Sequence, residues 1–232
     1  MSVNSEILEQ VGQDFANVIP AVDEEACHER WNPGIGPFEE EAQLEMILTS
    51  LADDSNRPKY IETEVPYPES GKRCDLFIEH GSRQLPVEVK LLRFSRDNGN
   101  IDPNMYKSIF SPFPERSSSS LLTDTRKLAE SGFEPPYGLI GLYYEKNEEE
   151  YEQLRAERIA EKFEHDVEYW YNLDIDTVAV NRFSGLQHPH HQHGAVIAWL
   201  LPEDPPVNTS IKMAFCRWWL YRNPQYLTYS AR

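Results

Sequence analysis

Three charged residues sit inside otherwise apolar, strand-like runs: Asp75 in Arg73-Cys-Asp-Leu-Phe-Ile-Glu79, and Glu88 and Lys90 in Leu85-Pro-Val-Glu-Val-Lys90. A charge in such a run is costly unless it pairs or binds a cation. Side chains alternate along a strand, so Glu88 and Lys90 project from one face and Val87 and Val89 from the other. His80-Gly81-Ser82-Arg83 reads as a hairpin turn that folds the first run onto the second and brings Asp75 beside Glu88. Two carboxylates and an ammonium so arranged form an oxygen-donor site for a hard divalent cation with an amine beside it. Phosphodiester hydrolysis needs such a set. Its anionic substrate repels hydroxide, a divalent ion offsets that charge and supplies the water, and an amine orients the water or stabilises the transition state.

The elements that must position these residues are legible as periodicities. Phe38–Leu51 predicts an amphipathic helix with Leu44, Ile47, Leu48 and Leu51 on one face, and Glu41 falls on that same face. Strands are expected over Tyr60–Tyr67, Arg73–Glu79 and Gln84–Phe94, then a polar loop (SRDNGNIDPN) and a helix over Ser119–Ser131. Pro135–Tyr144 reads as a buried strand, Glu148–Tyr171 as a helix, and Thr177–Phe183 and Ala195–Leu201 as two more strands. Residues 1–37 carry a short helical pattern (Ile7, Leu8, Val11, Phe15) and then WNPGIGP. The order α-β-β-β-α-β followed by an extension predicts an α/β fold on a mixed sheet.

Asp75, twelve intervening residues and then Glu88-Val89-Lys90, in this order of elements, resembles the PD-(D/E)XK, or restriction-endonuclease-like, nuclease superfamily. The resemblance spans roughly residues 38–145, with Cys74 where proline would precede the first acid. It implies a restriction-endonuclease-like αβββαβ core whose central mixed sheet is flanked by helices. Residues 1–37 are then an N-terminal helical extension and 146–232 a C-terminal α/β elaboration packed on the core, in one compact domain. It further implies a Mg²⁺-dependent endonuclease, with Mn²⁺ as a substitute ion, acting on DNA in defence or DNA processing; the alternatives are a non-catalytic interaction protein that retains the fold and an RNA or single-strand nuclease on the same scaffold. Asp75 and Glu88 are the implied metal ligands, and Lys90 is the implied catalytic amine. Glu41 is the implied helix-borne acid, with Glu45 as second choice, and Lys127 the implied phosphate contact. A homodimer would supply one site for each strand of a duplex.

The charge balance pulls the other way. Lys and Arg total 22 against 39 Asp and Glu, a net of −17, which repels a nucleic-acid backbone. The bases gather in residues 90–127 and 211–232, so local basic faces are expected there. Within the first of these, Ser108–Ser120 carries Arg116 and four consecutive serines. That loop reads either as a flexible connection or as a grip on phosphate oxygens. Phe215–Arg222 interleaves aromatics with bases around Trp218 and Trp219, a pattern for base stacking or for core and dimer packing. The three cysteines are scattered, no signal pattern opens the chain, and no apolar run is long enough to span a bilayer. A cytoplasmic protein without membrane association is therefore expected. Finally, His188, His190, His191 and His193 fall within six residues with no acid or cysteine beside them. Histidine clusters bind transition metals, but a proline-containing connection between strands is first of all an exposed turn.

Overall fold

The structure is a computed structural model that describes residues 2–28, 33–53, 61–68, 70–113, 120–146 and 149–202. Its helices are α1 (Val3–Glu25), α2 (Glu40–Asp53), α3 (Pro103–Phe110), α4 (Leu121–Ala129) and α5 (Ala156–Tyr171). Its strands are β1 (Ile61–Pro66), β2 (Arg73–His80), β3 (Arg83–Arg93), β4 (Tyr137–Tyr144), β5 (Asp176–Ser184) and β6 (His193–Leu201). All six strands join one sheet in the order β1-β2-β3-β4-β6-β5. Only β3 and β4 run parallel; the other pairs are antiparallel. The fold is thus mixed α/β with helices on both faces of a mixed sheet.

Each face has its own apolar layer. One cluster joins Leu8, Val11, Phe15 and Ile19 of α1 and Ile47, Leu48 and Leu51 of α2 to Leu76, Val87, Val89, Ile140, Val196 and Ala198. The other joins Leu121, Leu122 and Leu128 of α4 and Ile159, Phe163 and Val167 of α5 to Leu92, Leu139, Ile197 and Trp199. β4 and β6 lie inside the sheet between these layers, and for that reason they read as near-continuous apolar runs.

Three elements differ from the sequence expectation. The helix expected over Glu148–Tyr171 is a 3-10 segment, Glu149–Leu154, followed by α5. The short N-terminal pattern is a 23-residue helix, capped by the Ser2 side chain on Ser5 N–H, and its apolar stripe covers β5 and β6. The polar stretch after β3 hides α3, started by Asp102, whose carboxylate caps Asn104 N–H, with Pro103 in the first helical turn. Asp and Pro are turn residues as well as helix starters, and the turn composition upstream masked the helix. Among the described residues, no helix is long and apolar enough to cross a membrane. Arg116 and the segment 211–232, including Trp218 and Trp219, lie outside the described residues.

If α1 is part of the core, Phe15→Ala must cost as much as a central core truncation, about 3–5 kcal/mol. Urea unfolding should show this as a lower midpoint at unchanged slope, whereas a loss below about 1 kcal/mol would mark α1 as a detachable appendage.

Candidate metal and catalytic site

The hairpin does what its spacing predicts. β2 and β3 pair in the register Leu76↔Val87, which sets Asp75 across from Glu88 where the ladder ends. β3 continues for several residues beyond its last β2 partner, while its other edge stays paired to β4. Two backbone donors on the vacated edge are taken by carboxylates. Val89 N–H donates to Asp75 Oδ2 at 2.8 Å, and Leu91 N–H donates to Glu40 Oε2 at 2.6 Å. An unpaired buried N–H is costly, so these bonds fix where both acids sit.

Around them is an open pocket of about 420 Å³ lined by Glu40, Glu64, Asp75, Glu88, Asp124, Lys90 and Lys127, with Lys72 and Arg73 among the residues of its wall. α2 reaches it from one face of the sheet and α4 from the other. Lys90 Nζ lies 3.0 Å from Glu40 Oε1 and 3.4 Å from Asp124 Oδ2. Lys127 Nζ lies 2.9 Å from Glu88 Oε2, 3.7 Å from Asp124 Oδ1, and over the Tyr67 ring. Tyr67 donates its hydroxyl to Glu88 Oε1. Glu64, in the pocket wall, holds a left-handed backbone (φ 56°), which is uncommon outside glycine.

Burial dominates the electrostatics. It pushes the Glu88 carboxyl up to about 8, aided by the Asp75 charge and opposed by Lys127 and Tyr67. Burial likewise raises Glu40 and Asp124 against the pull of Lys90. For Lys90 and Lys127 burial disfavours the charged form, but the acids outweigh it and both ammoniums are held above their ordinary range. At neutral pH, Lys90 is therefore a proton donor and a fixed positive charge, and is not poised to take a proton.

Asp75, Glu88, Lys90 and Lys127 all line this pocket. The helix-borne acid in the pocket is Glu40, whereas Glu41 and Glu45 are exposed. Lys127 is engaged by Glu88, and it lies in the wall with Asp124. Asp124, Tyr67, Lys72 and Arg73 were not singled out as site residues from the sequence. Asp124 and Lys127 are three apart and share a helix face, a signal that was available. The expected basic face over residues 90–127 is largely used up internally, since Arg93, Arg96 and Arg126 also pair with Asp97, Asp102 and Glu130.

The histidine cluster is a turn that is exposed at His190 and buried at two of its other histidines. His188 and His191 are fully buried and stack with ring centroids 4.6 Å apart, with Asp97 Oδ1 3.1 Å from His191 Nε2. Burial, and for His191 also the neighbouring His188, holds both imidazoles below their ordinary range, that of His191 at about 4.

The oxygen donors of the pocket suit a hard cation. Asp75 and Glu88 face each other, and Glu88 is a buried acid whose ionised form calls for more positive charge than its own strand supplies. Comparisons with protein-family models, curated proteins and solved structures found no match for this chain.

The raised Glu88 value has a sign that can be checked. With the folded value above the unfolded one (near 4.5), the folded state binds more protons between these limits. Stability without metal should then fall as pH rises from about 4.5 through about 8. Thermal melts from pH 5 to 8.5 should show this slope, and Glu88→Gln should flatten it.

Proposed function

We propose that this chain is a metal-dependent nuclease hydrolysing DNA phosphodiester bonds, built on a PD-(D/E)XK-like core. The observation that carries the reading is the convergence of Asp75, Glu88 and Lys90 in one pocket between α2 and α4. Asp75 and Glu88 would hold Mg²⁺, or Mn²⁺ in its place, and Glu40 and Asp124 lie in the same wall. When bound, the ion would supply a water of lowered pKa and offset the phosphate charge.

The remaining work falls to the chain's own side chains. Lys90, kept protonated by Glu40 and Asp124, donates to the attacking water or to a phosphate oxygen and stabilises charge developing there. Asp75 keeps its orientation through Val89 N–H, so one carboxylate oxygen remains for a ligand. Glu88, in exchanging Lys127 for the metal, would leave that ammonium available to the substrate. Lys72 and Arg73 are exposed at the pocket wall, where a backbone phosphate would arrive. Two such sites, as in a homodimer, would serve both strands of a duplex.

Plasmid, oligonucleotide and RNA cleavage with Mg²⁺ or Mn²⁺ tests the reading. Asp75→Ala should abolish cutting. Lys90→Met, which keeps the stem and removes the charge, should lower kcat by about 10²–10⁴-fold with the fold retained by circular dichroism. Metal-dependent cutting that survives Asp75→Ala would sink the proposal. Cleavage should also rise with pH between 6 and 9, because Glu88 must lose its proton to take a metal. A second set of variants addresses the pocket mouth. Lys72→Ala with Arg73→Ala should raise KM more than it lowers kcat and should make binding less salt-dependent.

A further inference from the structure

Asp97, His188 and His191 come together from distant parts of the chain. Asp97 follows β3, and both histidines lie in the connection between β5 and β6. One ligand atom from each can be chosen so that all three lie within 4.8 Å of one another. The two rings are fully buried, and each keeps one nitrogen unpartnered among the described residues: His188 Nε2 and His191 Nδ1. The other nitrogens are engaged, His188 Nδ1 by His190 N–H at 3.2 Å and His191 Nε2 by Asp97. Two buried imidazoles with idle nitrogens are an expensive way to fill a turn. Leucine or phenylalanine would fill the same volume without that cost.

We propose that Asp97, His188 and His191 form a second metal site, one that takes a borderline transition ion such as Zn²⁺ and is separate from the hard-cation pocket. Imidazole nitrogen with one carboxylate oxygen is a donor set for Zn²⁺ and its neighbours and a poor one for Mg²⁺. The two rings stack nearly parallel, 17° apart, so one of them must turn for both nitrogens to face a single ion, with Asp97, partly exposed, as the third ligand. The surroundings are mixed, with the Arg93 guanidinium opposing positive charge at both rings and nearby acids offsetting it. Asp23 lies near His188, anchored by Ile35 and Gln187 N–H groups, and Glu39 approaches Arg93. Arg93 sits 3.5 Å from Asp97 and also donates to Gly36 O at 2.6 Å, so it has an anchor of its own once a metal takes the carboxylate.

The position gives the ion a structural role. Gly36 packs against His191 so closely that a Cβ there would fall 2.7 Å from the His191 Cβ. Gly36 lies four residues before Glu40, the acid that α2 delivers to the catalytic pocket. A metal joining the β3–α3 and β5–β6 connections therefore braces the segment that leads into α2.

The test is Zn²⁺ titration of the chelator-stripped full chain against a competing chromophoric chelator, in excess Mg²⁺ to occupy the Asp75–Glu88 pocket. The expected result is one equivalent bound by wild type and by Asp75→Asn. His188→Ala with His191→Ala should lose it, and Asp97→Asn should weaken it at least tenfold. Zinc at a hundredfold excess over Kd should raise the wild-type Tm by about 5–10 °C. No stoichiometric binding by wild type would overturn the proposal, as would an equivalent that persists undiminished in Asp97→Asn. If the double histidine variant does not fold, the Asp97→Asn titration and the visible spectrum of Co²⁺-loaded wild type decide. Absence of nitrogen-ligated bands in that spectrum counts against the site. None of these readouts depends on cleavage, so the site stands or falls apart from the nuclease reading.

Discussion

The candidate pocket depends on one constraint: the buried acids and ammoniums around the free edge of β3 must each meet an opposite charge or a hydrogen-bond partner. Glu88 and Asp124 are almost wholly buried, and Lys90 nearly so. Removing one partner from such a set typically costs about 3–5 kcal/mol, because a charge is then left buried and alone. Here Lys90 bridges Glu40 and Asp124, and Lys127 bridges Glu88 and Asp124. The network thereby ties α2 and α4, on opposite faces of the sheet, to the same strand.

That arrangement follows from where the β2–β3 ladder ends. β2 parts from β3 after the Leu76↔Val87 pair and runs on to Arg73 against β1 alone, so β3 presents N–H groups that the Asp75 and Glu40 carboxylates take in place of a strand. The edge is filled without being closed, and a polar hollow remains. Its lining sets five acids, Glu40, Glu64, Asp75, Glu88 and Asp124, against four bases, Lys72, Arg73, Lys90 and Lys127. Lys90 and Lys127 are held by these acids, while Lys72 and Arg73 stand exposed at the mouth.

Most of the local geometry could be read from the residues. Alternation put Glu88 and Lys90 on one face, the His80–Arg83 turn put Asp75 across from Glu88, and the apolar stripe of α2 buried Ile47, Leu48 and Leu51 as expected. These features arise from neighbours in the chain or from a single hairpin, so period and turn chemistry suffice to place them. Glu41 illustrates the limit. One residue along a helix is a rotation of about 100°, so a small misjudgement of the helix's orientation exchanges Glu40 for Glu41.

What the sequence by itself determined is the order of the six strands and of the helices other than α3, and the acid–acid–amine core carried by one hairpin. Tertiary structure alone decided which helix acid faces Lys90, that Lys127 reaches Glu88 rather than open solvent, and that Tyr67 closes on the same carboxylate. It also decided that His188 and His191 are buried beside Asp97, more than ninety residues earlier in the chain. No acid is near those histidines in sequence. Periodicity records which face of an element is apolar, whereas the pairing of polar groups between distant elements depends on how those faces dock.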